Sequence, residues 1–315
     1  MTAARLRTYA IPVTLLVAGL AAIFASAIPT YFALDDFFWL YTARFPMSTF
    51  AGWLSAFTVN VGPFYRPLSQ NVYFWLSYHL FGFHPLGFHV LCAAALVAAA
   101  LFAYASYRRL LPVPAAALVA ACAFAFSHTH YETVAWASAF DEASAAAVFA
   151  AAIFAYVSGR GRLAIALYVV ALLCDESATP LPAIALLLSL LVFRKSVKNA
   201  LHSTAWLWMA FVIYAAFRLF VTGLGSAGAS AFSANTDPSL YASLLFQSIG
   251  NAFGWTPNFD NVMRSGPPWG WTATLAWATY LVLVATLFVT ALIGRNRGAV
   301  LRAACAGMLW FVVAL

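Results

Sequence analysis

Apolar stretches long enough to cross a lipid bilayer recur along the whole chain, separated by short polar segments. A stretch of roughly 20 apolar residues spans the hydrocarbon core as a helix, because a helix satisfies its own backbone hydrogen bonds in lipid. Charged residues make up 8% of the chain and the mean hydropathy is +0.88, whereas soluble domains contain roughly 25% charged residues. The sequence therefore predicts an all-α polytopic membrane protein and excludes a soluble globular domain.

We predict about nine transmembrane helices that form one domain over residues 1–315. An alternative for the first of them is a cleavable signal peptide, because two arginines precede it and Ala25-Ser26-Ala27 follows. The predicted spans cover residues 9–28, 85–107, 113–126, 133–157, 163–174, 180–193, 204–221 and 271–294, and the ninth begins near residue 303. Because Leu315 falls inside this ninth span, we expect the chain to be truncated at its C-terminus.

Two segments between spans are too rich in polar residues, Pro and Gly to cross the bilayer. They are predicted to be outer loops, over residues 29–83 and 222–270. Two aromatic-rich pieces of the first loop, residues 36–45 and 70–80, are typical of helices that lie in the membrane interface.

The orientation follows from the distribution of basic residues. Of the 16 Lys and Arg residues, twelve lie at the N-terminus or in alternate loops. These are Arg5, Arg7, Arg108, Arg109, Arg160, Arg162, Arg194, Lys195, Lys198, Arg295, Arg297 and Arg302. The positive-inside rule places these loops in the cytoplasm, and all nine acidic residues then fall on the outer side.

Some of the acidic residues are predicted to lie below the membrane surface. Only twelve residues separate Arg162 from Asp175, about 18 Å of helix, whereas the hydrocarbon core is about 30 Å thick. The apolar run after Asp141 and Glu142 is similarly short. The outer half of the bundle should therefore contain a water-filled cavity, and the alternative is a locally thin bilayer with snorkelling side chains.

The candidate catalytic residues are the adjacent carboxylates Asp35 and Asp36, which lie among aromatic residues after the first span. Mutual repulsion and apolar neighbours disfavour ionisation of both, so one can retain a proton while the other acts as a base. The alternative interpretation is a hydrated turn at the end of a helix.

Candidate substrate-binding residues lie on the same predicted side of the membrane. Arg218, near the outer end of span seven, requires an anionic partner, which is either a lipid phosphate or an acidic residue of a neighbouring helix. The full set is Arg66, His130, Glu132, Glu142, Glu176 and Arg218.

His128 and His130 with Glu132 are a weak metal-ligand pattern, so metal ligands stay unassigned. The net charge of +7 is scattered, and there is no nucleotide-binding motif, so we expect no nucleic-acid partner.

Several motifs occur in an order that resembles that of the GT-C glycosyltransferases. Within this superfamily the chain most resembles the protein O-mannosyltransferases of the dolichyl-phosphate-mannose type, including their tetratricopeptide-repeat group and bacterial relatives. The motifs are Asp35-Asp36, Tyr65-Arg66-Pro67-Leu68, the Phe81–His89 segment, Ser127–Trp136, Leu172–Ser177 and Arg218. The chain departs from the family at His128, where Pro is usual, at Cys92, where Asn is common, at Phe140, where a basic residue often stands, and at Asp175, where Lys is usual. These departures leave the sugar, the acceptor and activity itself open.

The resemblance implies a GT-C-type bundle with a long first outer loop that carries interfacial helices. It implies inverting transfer of a sugar, mannose being one candidate, from a polyprenyl-phosphate carrier to a protein or glycan acceptor on the outer face. It assigns Asp35 as the base and leaves a divalent metal cofactor open. Membrane lipids are then further partners, and the expected location is the bacterial plasma membrane, with the active site facing outside. The alternatives are a transporter or flippase for a lipid-linked or anionic solute and an inactive homologue.

Overall fold

A computed structural model of the chain describes residues 3–43, 49–58, 64–127 and 129–222, together with residue 298. Within these residues all regular secondary structure is helical and there is no strand, which confirms the predicted all-α class. Predicted spans eight and nine, and the second outer loop beyond residue 222, lie outside the described residues.

The described helices follow one another with short connections. They are α1 (Ala3–Phe24), α2 (Asp35–Thr42), α3 (Phe50–Thr58), α4 (Tyr73–Phe81), α5 (Pro85–Leu110), α6 (Pro114–Ala125), α7 (Thr129–Ala135), α8 (Phe140–Val157), α9 (Gly161–Cys174), α10 (Leu181–Leu187) and α11 (Val197–Thr222). A π-helical segment, Pro67–Val72, leads into α4, and a second one, Leu188–Val192, extends α10. Two 3₁₀ turns, Ala137–Ala139 and Glu176–Ala178, precede α8 and α10.

In the described part of the chain, three helical segments are long and apolar enough to cross a membrane: Pro85–Leu110, Ala137–Val157 and Val197–Phe220. Shorter apolar helices cover Ala10–Phe24, Pro114–Ala125, Gly161–Cys174 and Glu176–Val192. These seven segments coincide in order with predicted spans one to seven. The lengths and composition of these helices are those of a helical membrane protein.

Proline and glycine mark the ends of several helices. Pro85 and Pro114 are the first residues of α5 and α6, where a missing backbone N–H costs nothing and the fixed φ favours the helix. Gly82 and Gly159 have φ values of 58° and 73°, which glycine adopts without steric penalty. The chain can therefore reverse tightly between α4 and α5 and between α8 and α9.

The centre of the bundle is formed by α5, α8 and α9, and its buried surface is rich in alanine. Ala99 and Ala100 of α5, Ala143 and Ala152 of α8 and Ala164 of α9 are all 0% exposed. Small side chains allow helix backbones to approach closely, which is the usual basis of helix association in lipid.

The buried acidic residues and the basic loops lie at opposite ends of the described bundle. The guanidinium of Arg109, at the end of α5, lies 5.1 Å from the ring centroid of Phe154, near the end of α8. Because α9 reverses direction after Gly159, the end of α9 returns to the end of the bundle where α8 begins. Asp141 and Asp175 therefore lie at one end and Arg109 and Arg160 at the other.

The described residues of the first long loop form three short α-helices rather than two. Those at Asp35–Thr42 and Tyr73–Phe81 correspond to the predicted interfacial helices at residues 36–45 and 70–80. The third, Phe50–Thr58, was not predicted, because its apolar residues show no separate boundary signal in the sequence. Exposed apolar side chains on these helices include Phe37, Phe38, Phe50, Leu54 and Leu80, as expected for helices in contact with lipid.

Candidate functional site

The guanidinium of Arg66 binds three carboxylates at the end of the bundle where α8 begins. Its Nη2 lies 2.8 Å from Oδ2 of Asp175 and its Nε lies 2.9 Å from Oε2 of Glu176. Its Nη1 donates to Oδ2 of Asp141. The ring of Phe64 stacks against the guanidinium at 4.3 Å, so Arg66 is enclosed by acidic groups and one aromatic ring.

These carboxylates come from two helices that meet at this end. Asp141 lies in the first turn of α8, where the helix dipole favours a negative charge. Asp175 follows the last residue of α9, and its Oδ1 accepts a hydrogen bond of 2.7 Å from the backbone N–H of Ser177. That bond starts the 3₁₀ turn and sets the direction of Glu176. The polypeptide at each helix end therefore orients its carboxylate toward Arg66.

Arg66 remains charged in this environment. Burial by itself lowers the pKa of a guanidinium. The hydrogen bond with Glu176 and the negative charges of Asp141, Asp175 and Glu176 outweigh burial and raise the pKa of Arg66 above its ordinary value. Asp141 and Asp175 are only 5% and 4% exposed, so the positive charge of Arg66 compensates carboxylates that solvent does not reach.

Arg218 of α11 extends this group of charges. Its Nη2 lies 3.7 Å from Oε1 of Glu176, so Glu176 bridges the two arginines through its two oxygens. We refer to Arg66, Asp141, Asp175, Glu176 and Arg218 as the ionic cluster. Four parts of the chain that are distant in sequence contribute to it.

Glu142 lies next to the ionic cluster and does not bind Arg66 in the described structure. Its Oε2 accepts a hydrogen bond of 3.2 Å from the hydroxyl of Thr133 on α7. The carboxylate that meets Arg66 is that of the preceding residue, Asp141. Glu142 was the candidate chosen from the sequence, where adjacent acids cannot be ranked. The rotation of α8 decides which of the two faces Arg66.

Asp36 is completely buried and both of its oxygens accept hydrogen bonds. Oδ1 accepts from the backbone N–H and from the hydroxyl of Ser138, at 2.7 and 2.6 Å, and Oδ2 accepts from the N–H of Ala33 at 2.9 Å. These bonds attach the start of α2 to the turn that precedes α8. Both carboxylate oxygens of Asp36 are thus occupied by hydrogen bonds within the protein.

Asp35 has a different environment, although it is the neighbouring residue. It is exposed at the first position of α2, and its carboxylate makes no hydrogen bond or ion pair to another described residue. The preceding Leu34 has a φ of 48°, a conformation that costs a non-glycine residue about 1–3 kcal/mol. The hydrogen bonds of Asp36 stabilise this turn, so they also present Asp35 to solvent.

His130 and Glu132 lie on α7, the short helix that precedes α8, and neither belongs to the ionic cluster. The ring of His130 packs edge-on against that of Phe124, with 5.0 Å between centroids, and Glu132 is exposed. His128 lies outside the described residues. Among the residues described, no group of three or more His, Cys, Asp and Glu side chains is arranged to hold a metal ion.

Sequence analysis did not single out two residues that support the site. The hydroxyl of Ser138 binds Asp36, and the ring of Tyr73 stacks on that of Phe140 with 3.7 Å between centroids. Through these contacts Ser138 and Tyr73 hold the turn before α8 in place. Both lie far in sequence from their partners and belong to common residue types, so no sequence signal marks them.

Comparison of the chain with protein-family models, with curated proteins and with solved structures finds no significant match. The geometry of the site is therefore the basis for its functional interpretation.

Proposed function

We propose that the protein is a membrane glycosyltransferase of the GT-C type. In this proposal it has about nine spans and transfers a sugar from a polyprenyl-phosphate carrier to a hydroxyl of a protein or glycan acceptor on the outer face of the bacterial plasma membrane. Mannose is the first sugar to test. The proposal is supported by the ordered motifs of the sequence and by where the described structure places their charged residues.

The observation that carries the proposal is the ionic cluster. Arg66, Glu176 and Arg218 belong to separate motifs, and Glu176 contacts both arginines. A charged residue within a membrane-embedded bundle is costly and usually marks a functional site. Arg66 stabilises the cluster internally, and Arg218 places a second guanidinium at its edge, where a phosphate could bind.

The chemistry requires a base, a cation and access from the membrane. The acceptor oxygen attacks the anomeric carbon, while the bond from that carbon to the phosphate oxygen breaks and its electron pair leaves with the polyprenyl phosphate. Asp35 accepts the hydroxyl proton, since its carboxylate is exposed and uncommitted among the described residues. Arg218 stabilises the charge that develops on the phosphate.

A transporter or flippase is the competing proposal. A transport path requires polar groups that are reached from both sides of the membrane. In the described residues the acidic groups lie at one end of the bundle and the basic loops at the other. This arrangement favours a site that opens on one side.

The test is transfer of labelled mannose from a polyprenyl-phosphate donor by the purified protein and by its Asp35→Asn variant. The substitution keeps the shape and removes the base, so turnover should fall by roughly 10² to 10⁴-fold while donor binding stays close to that of the wild type. Asp36→Asn, the same substitution at the adjacent residue, is the comparison variant. It should lower the unfolding temperature, because an amide replaces one of two carboxylate oxygens that accept three hydrogen bonds.

Normal turnover in Asp35→Asn would remove Asp35 from the mechanism. If turnover is lost only in Asp36→Asn and its unfolding temperature is unchanged, the two roles are reversed. Absence of transfer by the wild type, together with donor translocation in proteoliposomes, would favour the transporter.

A further inference from the structure

Tyr214, in the last third of α11, carries a buried hydroxyl that the ionic cluster does not use. The residue is 8% exposed, and its hydroxyl has no hydrogen-bond partner among the described residues. Buried polar groups in proteins are almost always hydrogen-bonded, because burial removes their bonds to water. An exception next to a cluster of charges requires an explanation.

The position of Tyr214 on α11 relates it directly to Arg218. The two residues are four positions apart, so their side chains lie on the same face of the helix. The charges of Glu176, Arg218 and Asp175 all lie near enough to act on the Tyr214 hydroxyl. Its ring lies 6.3 Å from that of Tyr65, which in turn packs against Phe217 at 5.6 Å. These aromatic contacts hold the Tyr214 ring beside Arg218.

We propose that Tyr214 and Arg218 form a binding subsite for a phosphate group, in which the Tyr214 hydroxyl donates a hydrogen bond to a phosphate oxygen. The subsite deepens the proposed function and rests on it for the identity of the ligand, the phosphate of a polyprenyl carrier. The new element is Tyr214, a residue that no motif indicates.

The chemistry of the two side chains suits a phosphate. A guanidinium offers N–H groups in a fixed fork, and a phenolic O–H supplies a further donor from another direction. Glu176 meets Arg66 through Oε2 and Arg218 through Oε1. A phosphate next to Tyr214 would therefore share Arg218 with Glu176, whose negative charge Arg66 also offsets.

The first measurement is thermal unfolding of Tyr214→Phe without ligand. Removal of a buried hydroxyl that has no partner among the described residues should leave the unfolding temperature unchanged or raise it. Tyr168→Phe is the matched control, because Tyr168 is also buried and its hydroxyl donates to the carbonyl of Thr179 at 3.2 Å. The control should unfold at a lower temperature than the wild type.

The second measurement is binding of farnesyl phosphate, a short prenyl phosphate, to the purified full-length protein in detergent. A hydrogen bond to a charged group is lost in Tyr214→Phe, so the dissociation constant should rise by roughly 10- to 100-fold. Arg218→Lys should also weaken binding, because one ammonium replaces the planar fork. Tyr168→Phe should bind as the wild type does.

Three comparison ligands identify the source of the phosphate. Farnesol should bind far more weakly than farnesyl phosphate, and equal binding would overturn the subsite. If inorganic phosphate or phosphatidic acid binds as tightly as farnesyl phosphate, with the same loss in Tyr214→Phe, the phosphate subsite stands and the polyprenyl carrier is refuted as its ligand.

The subsite is overturned if Tyr214→Phe binds farnesyl phosphate like the wild type, or if it loses as much stability as Tyr168→Phe. Binding and transfer are separate readouts. Phosphate binding that depends on Tyr214, in a protein that transfers no sugar, would support the subsite and refute the proposed glycosyltransferase activity.

Discussion

At the scale of single residues, the site depends on one guanidinium, that of Arg66, which binds three carboxylates. The side chains of Asp141 and Asp175 are 6% and 5% exposed and that of Arg66 is 17% exposed. Carboxylates buried to this extent require a compensating positive charge, and removal of one partner leaves the others without it. Arg66 is therefore expected to be essential for the fold before it has any part in catalysis.

We expect Arg66→Ala to destabilise the protein by about 3–5 kcal/mol, measured as the shift in thermal unfolding in detergent. Arg66→Lys should lie between this variant and the wild type, since an ammonium keeps the charge but cannot reach three carboxylates in the directions of the fork. Arg162→Ala, at an exposed position, is the control and should change stability by about 0.5 kcal/mol or less. Equal unfolding temperatures for Arg66→Ala and Arg162→Ala would contradict this account.

At the scale of helices, the connection between α4 and α5 brings the first long loop onto the bundle. Phe81, the last residue of α4, lies directly over Gly87 in the first turn of α5. A Cβ atom at Gly87 would lie 2.4 Å from the Phe81 ring. Close approach of this kind requires glycine, so the angle between α4 and α5 depends on it.

Gly87→Ala should consequently lower stability by about 1–3 kcal/mol through overpacking, and thermal unfolding in detergent measures the change. Phe81→Ala in the same chain should recover part of the loss, because it removes the ring that the new methyl group meets. Gly161→Ala is the comparison substitution. No atom lies within 4 Å of the added Cβ at this first residue of α9, so stability should be unchanged or slightly higher. A Gly87→Ala variant as stable as Gly161→Ala would show that Phe81 moves away without cost.

At the scale of the whole molecule, the described bundle has its acidic groups at one end and its basic loops at the other. The positive-inside rule assigns the basic end to the cytoplasm. The three short helices of the first long loop then lie at the outer surface with the ionic cluster. This orientation is a prediction that the fold makes testable, because exposed serines are available at both ends.

Single cysteines at Ser55 on α3 and at Ser196 before α11 should react on opposite sides of the membrane. Both positions are exposed, and Cys92, Cys122, Cys174 and Cys305 would first be replaced. An impermeant maleimide added to intact cells should label the cysteine in Ser55→Cys, whereas labelling in Ser196→Cys should require permeabilised cells. The reverse pattern, or labelling of both from outside, would refute the predicted orientation and with it the outer location of the site.

Composition and apolar run length were sufficient to predict the helical membrane class and the places of the first seven apolar helices. These features are local, because the length of an apolar run and the residues at its ends depend on the bilayer and on backbone chemistry alone. The sequence also indicated that acidic residues near Asp141 and Asp175 would be withdrawn from the surface, since the apolar runs next to them are short. Asp141 and Asp175 are buried against Arg66 in the described structure, whereas their depth in the membrane and the water-filled cavity stay predictions.

Only the tertiary structure decided which of these charged residues meet. Asp35 and Asp36 are adjacent and chemically identical, yet Asp36 is buried against Ser138 while Asp35 is exposed. Likewise Asp141, not Glu142, binds Arg66. Neighbouring side chains on a helix point about 100° apart, so burial of one or the other depends on the rotation of each helix against its neighbours. That rotation is set by packing among residues far apart in sequence, as with Arg66 and Glu176, and no local pattern encodes it.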